Sequence, residues 1–176
     1  MEKAEVIEMV SVYNKAIREK GLLLGELVEI KFSTRARRWL GQCASIERQG
    51  EKRCTLKFAT ALLPLPKDEV RNVVVHEILH MLVGSNGHDA LWREGGKLVH
   101  HWWPEITITQ VASVEVSMAF RKALPKRKVY KIACTDCDCH AKFFKKNYVV
   151  RAIERGELRC PNCGGKLTVK EDREQW

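Results

Sequence analysis

The segment "HEILH" (residues 76–80) has two histidines four positions apart, with a glutamate directly after the first. If the segment is helical, His76 and His80 lie one turn apart on the same face and can bind one metal ion. Glu77 then lies about 100° around the helix from His76, outside the ligand set but near a metal-bound water. This H-E-x-x-H arrangement is typical of hydrolytic zinc centres in which the glutamate is the general base.

A hydrolytic zinc ion needs a third protein ligand and an open position. His88 follows a turn with two glycines, which allows the chain to double back over the first helix, and we predict that His88 is this ligand. Four other residues remain possible third ligands: Glu94, His100, His101 and Glu105. A helix with two surface histidines and no metal is the alternative. The apolar flanks "VVV" and "MLV" and the nearby third histidine favour the zinc centre.

A second set of candidate metal ligands lies near the end of the chain. Cys134 and Cys137 form one C-x2-C pair, and Cys160 and Cys163 form another 22 residues later. This spacing predicts a structural zinc site, because four thiolates leave the ion no open position. Cys139 or His140 remains a possible replacement for Cys137. The other two cysteines, Cys43 and Cys54, are predicted to be free buried thiols on neighbouring strands.

Composition bounds the protein's class and partners. The net charge is +9, and residues 126–176 hold 13 Lys/Arg against 7 Asp/Glu. This excess favours an anionic partner, most commonly nucleic acid. The chain start lacks the apolar core of a secretory signal, and no apolar run approaches the roughly 20 residues that span a membrane. We therefore expect an intracellular monomer, in the cytoplasm, nucleoid or nucleus, with no membrane partner and no secretion.

The elements that must position these residues follow from periodicity. Residues 2–20 predict an amphipathic helix, residues 27–33 a strand, and residues 37–63 a hairpin that turns at Gln49-Gly50. Asp68 is expected to cap a helix from Glu69 to about Val83. A second helix is expected from near Asp89 to Trp102. Residues 106–124 show features of both strand and helix, and the basic segment "PKRKVYK" (residues 125–131) predicts a boundary between domains.

Five segments together resemble the SprT-like family of Spartan-related zinc metallopeptidases. They are "RARRWLGQC", "VRNVVVHEILHML", "HDALW", "VYKIACTDC" and "CPNCGGKL", and they span roughly residues 26–167. The resemblance implies an α+β fold, with a small zincin-type metallopeptidase domain over residues 1–125, helices packed on a short sheet, and a small β-rich zinc ribbon over residues 126–176. Two departures stand out: Asp89 replaces the glycine that the family has after its third histidine, and the gap from His80 to His88 is short.

By position, the resemblance assigns His76, His80 and His88 to a catalytic zinc and Glu77 to the general base. It assigns the four cysteines of the two C-x2-C pairs to a structural zinc, giving two zinc ions per chain. It also implies cleavage of proteins on DNA, notably proteins covalently crosslinked to it. Two other functions remain open. The chain could be a nucleic-acid-binding ribbon protein with an idle or structural H-E-x-x-H site, or a metallopeptidase with no nucleic-acid role.

Basic residues adjoin aromatic ones in three places, a pattern that suits single-stranded DNA because rings stack on bases while cations meet phosphates. The candidate contacts are Arg35, Arg37 and Arg38 beside Trp39, Lys126, Arg127 and Lys128 beside Tyr130, and Lys142, Lys145 and Lys146 among Phe143, Phe144 and Tyr148. The alternative for Phe143 and Phe144 is packing in the small core of the ribbon. The predicted partners are therefore DNA, single-stranded in character, and protein substrates on that DNA.

Overall fold

The computed structural model of the protein describes residues 1–174, so residues 175 and 176 of the predicted ribbon domain lie outside the described part. The chain divides into two compact units, Met1–Ala123 and a second that begins at Leu124. The first unit combines helices with a three-stranded sheet, and the second is a smaller sheet with one helix. The α+β fold predicted from the sequence is confirmed.

The first unit starts with helix α1 and a mixed sheet and then adds three helices. In chain order these are α1 (Lys3–Glu19), β1 (Glu26–Ser33), β2 (Gly41–Arg48), β3 (Glu51–Ala59), α2 (Lys67–Leu79), α3 (Ala90–Trp102) and α4 (Val114–Ala123). The strand order is β1-β3-β2, with β1 parallel to the central β3 and β2 antiparallel to it. The predicted hairpin is confirmed, with its turn at Gln49-Gly50, and β2 is left as an edge strand.

The apolar faces of the helices and the central strand form the core of this unit. Strand β3 alternates buried and accessible residues, and Leu56 and Phe58 are fully buried. Helix α1 contributes Val6 and Val10, and α2 contributes Val74 and Ile78, at the three- and four-residue steps of an amphipathic helix. Each fully buried aliphatic side chain of this size stabilises the fold by about 1.5–3 kcal/mol. The helix that carries the candidate ligands is thus held firmly against the sheet.

The bounds of α2 differ from the sequence prediction. Pro66 is the N-cap residue instead of Asp68, because its ring presets the φ angle of −53° that leads into the helix. Asp68 lies in the first turn and forms an ion pair with Arg71 at 3.0 Å. The helix ends at Leu79 instead of near Val83, because the following residues form tighter three-residue turns. His80 is therefore the C-cap residue, directly before the loop to His88.

Helix α3 begins where expected, with Asp89 as its N-cap. Two glycines in its middle do not break it. A Cβ on Gly95 would lie 2.9 Å from Leu82 Cδ1, so this glycine lets α3 approach the segment after α2 closely. Residues 106–108, which alternate like a strand, form no strand: Ile106 is buried, and Ile108 lies against Gly96 of α3.

The second unit is an antiparallel sheet with a short helix against it. Its elements are β4 (Arg127–Cys134), β5 (His140–Phe143), α5 (Tyr148–Glu154) and β6 (Leu167–Glu174), with strand order β5-β4-β6. Tyr130, Ile132, Val150 and Ile153 form its core, with Phe143 packed against them. This core places the end of β4 and the start of β6 side by side, with Cys134 opposite Leu167.

Candidate metal centres and cleft

The three predicted histidines converge at one point. The His80 Nε2 atom lies 3.2 Å from His76 Nε2, and the His88 Nε2 atom lies 3.1 Å from it. Two nitrogens bound to one tetrahedral zinc ion lie roughly 3.3 Å apart, given Zn–N distances of about 2.0–2.1 Å. The spacing therefore fits a zinc ion held by three imidazoles, and these residues form one of two candidate metal sites among residues 1–174.

The ring of His76 is oriented by a backbone carbonyl. Its Nδ1–H donates to Thr109 O at 2.9 Å, which fixes the tautomer and leaves Nε2 free to bind a metal ion. Thr109 belongs to the loop between α3 and α4. Asn72 lies on α2, one helical turn before His76. Its side-chain oxygen anchors the loop by accepting a hydrogen bond from the backbone N–H of Thr107 at 3.1 Å.

Burial keeps two of the three histidines neutral at neutral pH. Burial, together with the neighbouring imidazoles, lowers the pKa of His76 and that of His80 to about 4. Neutral imidazole is the form that binds a metal ion, so these rings are ready for a ligand role at neutral pH.

One aromatic side chain contacts all three imidazoles. Trp92, on the first turn of α3, is 2% exposed. Its ring centroid lies 4.9 Å from that of His76, 5.6 Å from that of His80 and 4.5 Å from that of His88. The indole thus forms an apolar wall that restricts the rotation of the three rings.

Glu77 lies against the first residues of edge strand β2. It is 5% exposed, and a Cβ on Gly41 would lie 2.7 Å from its Oε1. Burial raises the pKa of the Glu77 carboxyl to about 8, and a hydrogen bond with the backbone of Cys43 opposes this rise. The carboxyl is held on the strand beside the histidines, in a site where it can hold or release a proton near neutral pH.

The histidines and Glu77 line an open cleft of about 1070 Å³. One wall is the start of β2 and the arginine segment before it, and the other is formed by residues 107–113 and by α4. The alternative third ligands do not join the cluster of residues 76, 80 and 88. His100 Nδ1 bonds to Ile106 O at 3.0 Å, and Glu94 pairs with Lys97 at 2.7 Å.

The second candidate metal site consists of the four predicted cysteines of the second unit. The sulfur of Cys134 lies 3.5 Å from that of Cys163, and the sulfur of Cys137 lies 3.6 Å from that of Cys160. Four thiolates around one zinc ion have sulfurs roughly 3.8 Å apart, given Zn–S distances of about 2.3 Å. The group is consistent with a zinc ribbon.

The remaining cysteines and His140 lie outside that group of four. The Nδ1–H of His140 donates to Asp138 O at 3.0 Å, and the thiol of Cys139 hydrogen-bonds to Cys160. Both Cys43 and Cys54 are free thiols, as predicted. Cys54 is buried, whereas Cys43 is only half-buried because it lines the cleft.

Three of the six predicted nucleic-acid contacts in the second unit have acidic partners. Lys128 pairs with Glu171 at 2.7 Å. Lys142 pairs with Glu174, and Lys146 pairs with Glu154 at 2.9 Å. Lys126 and Lys145 are exposed. In each pair, a carboxylate already neutralises the positive charge that would otherwise contact a phosphate.

Of the two adjacent phenylalanines of the second unit, one packs in the core and the other is accessible, as base stacking would require. Phe143 packs against the core, whereas Phe144 is 51% exposed. The guanidinium carbon of Arg127 lies 3.7 Å from the centre of the Phe144 ring, a cation–π contact. Phe144 is therefore an accessible ring that already has a cation over one face.

The arginine segment of the first unit lies at the cleft. Arg37 and Arg38 line it, and Arg35 lines a neighbouring shallow pocket that shares Trp39 with the cleft. Within residues 1–174, neither Arg35 nor Arg38 forms an ion pair with a carboxylate.

Sequence reasoning missed three residues that shape the histidine centre. Gly41 makes room for Glu77, the Thr109 carbonyl orients His76, and Asn72 holds the Thr109 loop. The glycine in "RRWLGQC" was the one available signal. A backbone carbonyl leaves no mark in a sequence, so Thr109 had none.

Comparison with known proteins identifies one family. The sequence model of the SprT-like family matches residues 6–112, which include the three histidines and Glu77. No curated protein and no solved structure matches the chain. Within residues 1–174, no helix is both long and apolar enough to cross a membrane.

Proposed function

Because the chain belongs to the SprT-like family, we propose that it is a zinc metalloendopeptidase that cleaves proteins bound or crosslinked to DNA. The observation that carries the peptidase assignment is the convergence of three imidazole Nε2 atoms beside Glu77 in an open cleft. A purely structural zinc site has no need of a buried carboxyl next to an accessible ligand position.

The residues of the cleft have separate roles in peptide hydrolysis. Zinc, when bound, would polarise the scissile carbonyl and acidify water. His76, His80 and His88 are the side chains that would hold the ion. Glu77 takes a proton from the attacking water and delivers it to the amine of the departing peptide. The backbone of Cys43 and the surface of Gly41 hold the Glu77 carboxyl in place for both transfers.

The position of β2 supports a polypeptide substrate. It is an edge strand, and residues 41–43 at its start line the cleft next to Glu77. An extended substrate chain can hydrogen-bond along such an edge, because edge strands have unpaired backbone groups. Binding through backbone groups suits a peptidase that cleaves proteins of different sequence.

The DNA part of the proposal is supported by charge and by placement. The net charge of +9 favours an anionic partner, and Arg35 and Arg38 lack acidic partners in the described chain. Arg38 and Trp39 line the cleft, and Arg35 lines the neighbouring pocket with Trp39, so a DNA strand bound there would lie close to the site of cleavage. A half-buried tryptophan near cations is a surface on which a base can stack.

The decisive experiment uses single-stranded DNA that carries a covalently attached protein. The wild-type protein is expected to cleave the attached protein, and Glu77→Gln, which keeps size but not basicity, is expected to be inactive. Equal cleavage by both would refute the role of Glu77. The matched control is the same substrate protein without DNA, which we expect to be cleaved more slowly.

A second function is favoured by the ion pairs of the second unit. Lys128, Lys142 and Lys146 have acidic partners, as expected if the ribbon braces the fold and has no nucleic-acid role. A metallopeptidase of that kind would cleave free and DNA-attached protein equally well. A protein that binds the DNA but cleaves neither substrate would instead have an idle centre.

A further inference from the structure

One buried charge in the first unit has no part in the proposed reaction. Lys52, at the start of β3, is only 4% exposed, although lysine is among the residues least often buried. A buried ammonium is costly unless it is hydrogen-bonded, so its partners indicate what it is for.

Both partners of Lys52 belong to the connection between two candidate metal ligands. Its Nζ donates to Leu82 O at 2.7 Å and to Ser85 O at 2.8 Å. These carbonyls lie in the segment of seven residues that joins His80 to His88. The segment reverses the chain with positive φ angles at Gly84 and Gly87, so it has no regular structure of its own to hold its shape.

The same segment is fastened on its other sides. Met81 O accepts from Gly25 N–H at 2.7 Å, and Val83 N–H donates to Leu23 O at 3.0 Å, next to an isolated antiparallel bridge. These bonds hold the first half of the segment. Lys52 joins that half to the second, because it binds one carbonyl from each.

Asp89 closes the segment at its far end. Its carboxylate accepts from Ser85 Oγ at 2.9 Å, from the backbone N–H of Asn86 at 2.7 Å and from that of Trp92 at 2.9 Å. Ser85 is thus bound from both directions, by Lys52 through its carbonyl and by Asp89 through its hydroxyl. Asp89 stands where the resemblance led us to expect glycine, and these three bonds are what it adds.

We propose that Lys52 is a positioning residue for the histidine centre: with Asp89 it holds the short segment in the shape that brings His88 Nε2 to His76 and His80. The proposal rests on the metal-binding role of these histidines. Without the ammonium, two carbonyls would lose their partners, and the segment would gain conformational freedom that metal binding must then remove. Lys52 therefore sets the metal affinity of the centre without touching the ion.

The test compares Lys52→Met, which keeps the length and removes the donors, with Lys57→Met on the same strand. Metal affinity of the histidine centre is measured by chelator competition, and its geometry by the visible absorption of the cobalt(II)-loaded protein. We expect Lys52→Met to bind zinc 10–100-fold more weakly at this centre, as for other groups that orient metal ligands. The cobalt spectrum of the histidine centre should lose tetrahedral intensity, whereas that of the four-cysteine site should be unchanged. Lys57→Met should match the wild type.

Asp89 variants keep the proposal falsifiable if Lys52→Met folds poorly. Asp89→Asn retains an oxygen acceptor and a good N-cap and should keep most of the affinity, whereas Asp89→Ala should lower it. In a double-mutant cycle with Lys52→Met, the losses should be non-additive, because both residues hold Ser85. Wild-type affinity in Lys52→Met would overturn the positioning role and leave the proposed function intact. A wild-type protein that binds no metal at these histidines would instead refute the proposed function itself.

Discussion

Glu77 lies directly on Gly41, so closely that a methyl group on the glycine would be 2.6 Å from Glu77 Cγ and 2.7 Å from Oε1. The first residue of the edge strand therefore determines where the carboxyl of the H-E-x-x-H helix can sit. None of the three histidines lies among the nearest atoms that such a methyl group would meet.

Gly41→Ala is expected to lower kcat by about 10²-fold while zinc content stays at the wild-type level. The added methyl group must displace the Glu77 side chain, and a shift of about 1 Å in a catalytic group can cost that much rate. Steady-state peptidase kinetics and metal analysis of the same preparations check this. A wild-type kcat in Gly41→Ala would show that the Glu77 carboxyl keeps its catalytic position despite the added methyl group.

The stability of the first unit without metal should be greatest near pH 6.5. Burial holds the pKa of His76 and of His80 at about 4, below the usual 6.5, so the unfolded chain binds more protons and stability rises with pH up to about 6.5. Burial raises the pKa of Glu77 to about 8, so the folded chain keeps a proton that the unfolded chain has lost. From pH 6.5 to 8, stability should fall by about 1.4 kcal/mol per pH unit.

Glu77→Gln isolates the carboxyl contribution to this profile. The variant should lose the decline above pH 6.5 and be more stable than the wild type at pH 8, because an amide has no proton to release. Urea unfolding after chelation, followed by tryptophan fluorescence, measures this, since four of the five tryptophans lie in the first unit. Parallel pH profiles for the two proteins would contradict the assignment.

Zinc content should separate the two metal sites. The wild type is expected to hold about two zinc ions per chain, and both His88→Ala and Cys160→Ser about one. Cys160→Ser should also unfold the second unit, because small zinc domains depend on their metal for folding. Circular dichroism with metal analysis checks both effects. Loss of both ions on a single ribbon substitution would mean that the two sites are not independent.

The parts of the two sites that follow a short-range repeat were predictable. The four-residue step from His76 to His80 and the two-residue gaps within the cysteine pairs depend only on helix and turn geometry. The main helices and strands also followed from local periodicity, whereas the α+β fold class was implied by the resemblance to the SprT-like family. The helix end at Leu79 could not be predicted from local periodicity. The residues after it form backbone hydrogen bonds with Gly25 and Leu23, which lie just before β1 and far away in the chain.

Features that depend on distant pairing were not predictable. Gly41 meets Glu77 across 36 residues, through the packing of a strand on a helix. The ion pair between Lys128 and Glu171 depends on the register between β4 and β6, which are not consecutive strands. From sequence alone Lys128 was a candidate for binding phosphate, because its acidic partner is known only once the strands are paired.

Trp92 should tolerate phenylalanine but not alanine. The indole is buried against all three imidazoles, and its Nε1–H has no hydrogen-bond partner in the described chain. Trp92→Phe removes that unpaired donor and keeps an aromatic wall, so we expect near-wild-type zinc affinity. Trp92→Ala leaves a cavity and should cost about 3–5 kcal/mol of stability and weaken zinc binding. Thermal unfolding and chelator competition measure the two effects, and equal zinc affinity in Trp92→Ala would show that the rings need no wall.

Binding of single-stranded DNA should depend more on the arginines at the cleft than on the lysines of the ribbon. The double variants Arg35→Ala/Arg38→Ala and Lys142→Ala/Lys146→Ala each remove two positive charges, so they are matched in net charge. The two lysines have carboxylate partners that compete with phosphates, and the two arginines have none within residues 1–174.

The arginine variant should bind DNA more weakly, and its slope of log K against log salt should be shallower by about 0.7 for each phosphate that the protein no longer neutralises. Fluorescence anisotropy over a salt series measures both quantities. A larger loss of affinity in the lysine variant would place the main DNA surface on the ribbon, and no loss in either would favour the peptidase without a nucleic-acid role.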